Sequence, residues 1–186
     1  KYIYEYAQKK KNFKEVEGIE FQMKLITGLS GDYSETILDS LANKEMVIKK
    51  IKDIYAANPF FNLCEMEIED IEFGGVVLGL SIDAEKHTNH SHNAHGGAIA
   101  ALADTALGGS AATVSKRVVT SSLQVSFIKG LHEGSYARAH AKIISDDGEY
   151  MVIRGEVLSG GELIAEVMAT MVIVGAYSEI PAEWKK

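Results

Sequence analysis

The chain has 186 residues, 46% of them hydrophobic and 24% charged, with a formal net charge of −7. That length suits one ordinary domain with an appendage, and that balance belongs to a globular protein able to bury a core. The acidic excess argues against nucleic acid or an anionic membrane as the main partner, and a lone cysteine, Cys64, excludes an intrachain disulfide framework and fits a reducing, cytoplasmic compartment.

Residues 1–57 read as a helical N-terminal extension. Lys9, Lys10, Lys11 and the pair Lys49-Lys50 fall here, while Gly18, Gly28 and Gly31-Asp32 read as interruptions or turns. The alternating Tyr2, Tyr4 and Tyr6 read as interface residues or an unstructured end. Val47, Ile48, Ile51, Ile54 and Tyr55 recur at helical spacing, with Asn43 as the predicted cap. Asn58-Pro59 ends that helix, because the residue before a proline is pushed out of the α region. From Phe60 onward strands dominate. Residues 64–73 and 76–82 flank Gly74-Gly75, which reads as a hairpin turn. Cys64, between Leu63 and Glu65 at the predicted start of the first of these strands, reads as packing and not as a nucleophile. No secretory signal is legible in the sequence as given.

Residues 96–115 are rich in Gly, Ala, Ser and Thr and carry a single charge, Asp104. They approach the length of a membrane span, but the small polar residues and the central carboxylate favour a buried helix of a globular core. A carboxylate in such a run is costly to bury unless something pairs with it, and groups of this kind often do chemistry. His95-Gly96-Gly97 immediately precedes the run. Glycine lets the backbone approach a ligand closely, and at a helix N-terminus the unpaired N–H groups and the dipole favour negative charge. Each feature also has a plain reading: glycines for tight packing, Asn89 as a turn residue, Asp104 as a structural hydrogen bonder across an interface. His87, His90, His92 and His95 invite a metal reading, but no metal is expected and the loop reads as solvated. In the His-x-His-x-Asp-His element of metallo-β-lactamase-type hydrolases an aspartate belongs where Ala94 stands.

Four alternating segments follow. In 118–128, Leu123, Val125 and Phe127 share one face and Ser122, Gln124 and Ser126 the other; in 135–145, Ala137, Ala139, Ala141 and Ile143 oppose Tyr136, Arg138, His140 and Lys142. Asp146-Asp147-Gly148 and Ser159-Gly160-Gly161 read as turns bounding strands 149–158 and 162–174. Alanines on the inward face of a strand leave room for a helix to pack close. The predicted architecture is therefore α+β, a long central helix wrapped by an antiparallel sheet, after a helical preface.

Asn89, His95-Gly96-Gly97 and Asp104, with the intervening Ala98-Ile99-Ala100-Ala101-Leu102-Ala103, closely resemble the hotdog-fold acyl-CoA thioesterases of the phenylacetate-degradation type. The resemblance spans roughly residues 58–175 and implies a hotdog domain over 58–176, with 177–186 as a tail. It implies hydrolysis of an acyl-CoA thioester, with the thioester as substrate and no separate cofactor, in a homodimer or tetramer. By position, Asp104 is then the general base or nucleophile, the Gly96 N–H polarises the carbonyl, and Asn89 positions water or substrate. His95 orients the turn or contacts the carbonyl region, and Thr120, Ser121 or Ser122 holds the attacking water. Gly97, Ser122 and Lys129 fall among the expected substrate contacts. The family often carries an Arg-Pro pair after the third strand, where this chain has Ile128-Lys129-Gly130. The basic contact to CoA therefore falls to Lys129, with Lys116, Arg117 and Lys142 as further candidates. Expected pocket walls are Phe60, Phe61, Leu63, Leu102 and Leu107. Gly96 and Asp104 are about 12 Å apart along a helix. One carbonyl can hardly touch both in one chain; a site that joins Gly96 of one subunit to Asp104 of its two-fold mate resolves this, and the resemblance implies such a dimer. The alternatives are a non-catalytic acyl-CoA-binding sensor, then a hotdog hydroxyacyl-CoA dehydratase, and last a zinc hydrolase.

Overall fold

The computed structural model describes residues 31–181 and Trp184, with side chains from Asn43 onward. The readings made for Gly18, Gly28, Lys9 to Lys11 and Tyr2, Tyr4 and Tyr6 lie outside these residues. Contacts divide the chain into a compact unit Val47–Glu183 and a unit formed by Lys1–Met46 with Trp184–Lys186. Of the latter, residues 31–46 are helical.

The first helix, α1 (Gly31–Ala56), runs straight through Asn43, so Asn43 is not its cap. An asparagine inside a helix costs only about 0.7 kcal/mol at most, too little to stop one that starts upstream. The stop does fall where Asn58-Pro59 demands it. Asn58 instead caps a short helix absent from the sequence reading, α2 (Pro59–Leu63): its Oδ1 accepts from the N–H groups of Phe60 and Phe61 at 3.0 and 3.1 Å. Cys64 ends α2 and is half-buried, three residues before the first strand. Val47, Ile51 and Tyr55, spaced i, i+4, i+8, are the buried stripe of α1 within the larger unit.

Strands β1 (Glu67–Glu72) and β2 (Gly75–Ser81) form the expected hairpin, turning at Gly74 with φ +77°. Then come α3 (Gly96–Ala112), β3 (Lys116–Phe127), β4 (Tyr136–Asp146), β5 (Tyr150–Ser159) and β6 (Glu162–Ala176). All pairings are antiparallel, and the six-stranded order is β1-β2-β4-β5-β6-β3. The α3 helix ends three residues earlier than its composition suggested. Thr113, Val114 and Ser115 turn out of it, with Ser115 at φ +66°, and Ser115 clasps Tyr177 through two bonds of 2.8 Å.

The core lies between α3 and the sheet. Ala137, Ala139 and Ala141 of β4 are buried, as the alternation predicted, and let α3 lie close. Gly155 of β5 does the same: an added Cβ would stand 3.3 Å from Leu107 Cδ2 and 3.0 Å from the His140 carbonyl. Into that space α3 sends Leu102 and Leu107, both fully buried. Each contributes about 1.5–3 kcal/mol by burial. They are core residues and line neither cleft described below, which corrects their expected place in a pocket wall.

On the outer face, the Tyr136 ring lies across Gly79, its hydroxyl donates to Glu67 at 2.6 Å, and the Arg138 guanidinium stacks 4.7 Å from the ring centroid while pairing with Glu69. Burial raises the Glu69 carboxyl, but hydrogen bonds from Tyr136 and Arg138 outweigh it and hold the group below its usual range. A Cβ on Gly79 would fall 1.9 Å from the Tyr136 hydroxyl. Gly79→Ala should therefore break this cluster and destabilise the fold by about 1–3 kcal/mol, read as a shifted urea midpoint at unchanged m-value.

Candidate active site

The sharp residues of the sequence fall into two clefts along β3. Asp104, half-buried, lines the first, a cleft of about 290 Å³ with Ile54, Tyr55, Asn58, Phe60, Lys116, Val118, Thr120 and Tyr177 among its walls. Thr120 donates to Asp104 Oδ1 at 2.8 Å. Of the three hydroxyls the sequence left open, this is the one that reaches the carboxylate, and the cause is a bulge. The β3–β6 register shifts between Thr120 and Ser122, so Ser121 is the extra residue and the alternation restarts after it. Thr120 shares a side with Val118 at the cleft, as residues two apart on a strand do, whereas the bulge turns Ser122 to the other side, exposed beside Gln124 and Ser126 and lining neither cleft. Thr120→Val removes one hydrogen bond to a charged group. It should lower kcat about tenfold with little change in thermal midpoint, checked by steady-state kinetics.

Asn89 and Gly96 line the second cleft, about 590 Å³, with Phe127, Ile128, Lys129 and His132. His95 is the N-cap of α3, and its Nδ1 accepts from the Gly97 N–H at 2.9 Å. That bond uses up the Gly97 donor. The Gly96 N–H makes no hydrogen bond among the described residues and stands free at the positive end of the helix. Gly96 must be glycine for space as well, since a Cβ there would meet the Phe127 ring at 3.2 Å. Asn89 Oδ1 closes an Asx turn onto the N–H groups of Ser91 and Asn93, at 2.9 and 3.3 Å. Its amide Nδ2 has no partner among the described residues.

The remaining expected contacts are more dispersed. Lys129 lines the Gly96 cleft but pairs with Glu162 at 2.6 Å, and Lys116 pairs with Asp146. Lys142 lies in a separate cavity on the outer face of the sheet. Phe60 lines the Asp104 cleft as expected, whereas Phe61 is buried and Leu63 is exposed. The histidines go different ways: His87 is buried, His92 pairs with Glu133 at 2.9 Å, and His95 caps α3. Among the described residues, no three groups of metal-ligand type come together.

Tyr55, Asn58 and Tyr177 were missed. Tyr55 sits in an apolar stripe and reads as core; its hydroxyl, which donates to the Thr105 carbonyl at 3.1 Å, was the signal that could have marked it. Burial, then the neighbouring Tyr177 and Asp104, raises its phenol far above the usual value. Chemically, one cleft holds a carboxylate that can take a proton from water, and the other holds a free N–H that can stabilise an oxyanion. Neither cleft alone contains both groups.

Residues 92–165 match the thioesterase superfamily model, and thus include Gly96, Asp104 and Thr120. The fold is similar to that of the PaaI protein of the phenylacetic acid degradation operon of E. coli, with TM-score 0.68 at 18% identity over 72% of this chain and 96% of that one. It is similar also to a mutant of the phenylacetic acid degradation protein PaaI of Thermus thermophilus, at TM-score 0.59, 26% identity, and 62% and 98% coverage. A Streptococcus mutans protein solved bound to acetyl-CoA superposes with TM-score 0.58 at 21% identity, over 61% of this chain and 91% of that one. Among the described residues, no helix is long and apolar enough to cross a membrane. The segment that carries Gly96, Asp104 and Thr120 thus matches the thioesterase superfamily, on a hotdog fold shared with the PaaI proteins.

Proposed function

We propose that this chain hydrolyses an acyl-CoA thioester at a site completed across a two-fold homodimer interface. The observation that carries the reading is the separation of its two halves: Asp104 with Thr120 in one cleft, the free Gly96 N–H with Asn89 in the other, both along β3. The two edges of the sheet differ in a way that supports β3 as the pairing edge. Edge strand β1 carries Glu67, Glu69, Asp70 and Glu72, charges that discourage edge-to-edge pairing, whereas β3 carries charge only at its start, Lys116 and Arg117, and residues 118–127 carry none. An antiparallel β3–β3 pairing centred near Leu123 sets the Thr120 end of one copy beside the Phe127 end of the other. Asp104 of one subunit then faces Gly96 of its mate.

In the reaction, the thioester carbonyl oxygen accepts from the Gly96 N–H and the Asn89 amide orients the substrate. Asp104, steadied by Thr120, takes a proton from water, which attacks the carbonyl carbon. The tetrahedral intermediate collapses to a carboxylic acid and the CoA thiolate. Direct attack by Asp104, giving a mixed anhydride that water then hydrolyses, uses the same groups. Lys129 offers the basic contact to CoA once it leaves Glu162. No added cofactor is needed. The acetyl-CoA bound by the S. mutans neighbour supports CoA as the carrier, and a single half-buried cysteine agrees with a cytoplasmic setting.

The test is thiol release across a panel of acyl-CoA esters. Turnover of at least one ester is expected; acyl-CoA binding without turnover would replace the hydrolase by a sensor.

A further inference from the structure

Tyr55 of α1 lies against the Asp104 turn of α3, and its surroundings accommodate its hydroxyl. Its ring is locked edge-on against Phe61, centroids 5.0 Å apart at 65°. The hydroxyl reaches into a notch above Gly109, where an added Cβ would stand 2.7 Å from it. There it donates to the carbonyl of Thr105, the residue after Asp104. A helical carbonyl at this place already receives the N–H four residues ahead, so the phenol is a second donor and not a repair of an orphaned group. A phenylalanine would fill the same volume without burying a hydroxyl. What the hydroxyl adds is a tether between α1 and the single turn of α3 that bears the carboxylate. The Tyr55 ring also lines the Asp104 cleft.

Resting on the reading of Asp104 as the reacting carboxylate, we infer that Tyr55 is a positioning residue. It holds the Asp104 turn at the depth where Oδ1 meets the Thr120 hydroxyl, and so fixes the carboxylate toward the attacking water. Misplacing a reacting group by even about 1 Å costs on the order of a hundredfold in rate, so loosening one tether should show in kcat before it shows in stability. The tether belongs to the end of the helical preface, which thereby takes part in the chemistry through its last turns.

The experiment compares wild type, Tyr55→Phe, Thr120→Val and the double variant in the full chain, with Asp104→Asn as the reference for the site. Tyr55→Phe should lower kcat about tenfold with KM within about twofold, because substrate binding is left in place while the transition state is not. Its loss should be far smaller in the Thr120→Val background, since both changes act through one carboxylate. Wild-type kcat in Tyr55→Phe, a change confined to KM, or full additivity with Thr120→Val would each overturn the inference. An Asp104→Asn variant that keeps its activity would instead sink the reading of the site itself, which separates the two failures.

Discussion

Asp104→Ala and Asp104→Asn should lose at least about a hundredfold in thiol release, with the fold and oligomeric state of the wild type retained. The carboxylate is half-buried, and among the described residues its one side-chain hydrogen-bond partner is a neutral hydroxyl and it makes no ion pair, so its removal leaves no partner cation uncompensated there. The expected loss is therefore one of chemistry and not of folding, and it should appear in kcat while acyl-CoA binding persists. Circular dichroism and size-exclusion chromatography on the same samples check the retained fold. A variant that folds, binds substrate and still turns over near the wild-type rate would remove Asp104 from the mechanism.

Mixing two inactive variants should restore activity. Gly96→Val places a branched side chain where even a Cβ meets Phe127 at 3.2 Å, and so should close the N–H donor to substrate. In a heterodimer of Gly96→Val with Asp104→Ala, one of the two sites combines an intact Gly96 with an intact Asp104; the other has lost both. Random exchange of subunits should then recover about a quarter of wild-type activity from two nearly dead preparations. No recovery after exchange, demonstrated by mass spectrometry of the mixed dimer, would mean that each chain carries a complete site of its own. The eight-residue separation along one straight helix weighs against that outcome, as does the division of the two groups between separate clefts.

Much of the larger unit could be read without coordinates, because its signals are local. Alternation marked β3 to β6 and their turns, since a strand buried on one side repeats every second residue. The alanines of β4 announced a helix pressed close, and the Asn58-Pro59 step ended α1 by backbone sterics alone. What failed did so where a weak local preference met a longer-range constraint: Asn43 was overridden by a helix already running, and α3 ended at Thr113 where the chain had to enter β3.

The residue types, the spacing from Asn89 to Asp104 and the strand pattern were thus determined by the sequence itself, because covalent order and periodicity carry them directly. The choice of Thr120 over Ser121 and Ser122 was decided by a bulge, and a bulge is a mismatch between two paired strands that neither strand states alone. The choice of Gly96 over Gly97 as the free donor depended on where the His95 ring turned. The arrival of Tyr55 beside Asp104 joined residues 49 positions apart on two different helices. Such contacts follow from packing, in which each position depends on all the others, and only the tertiary structure could decide them.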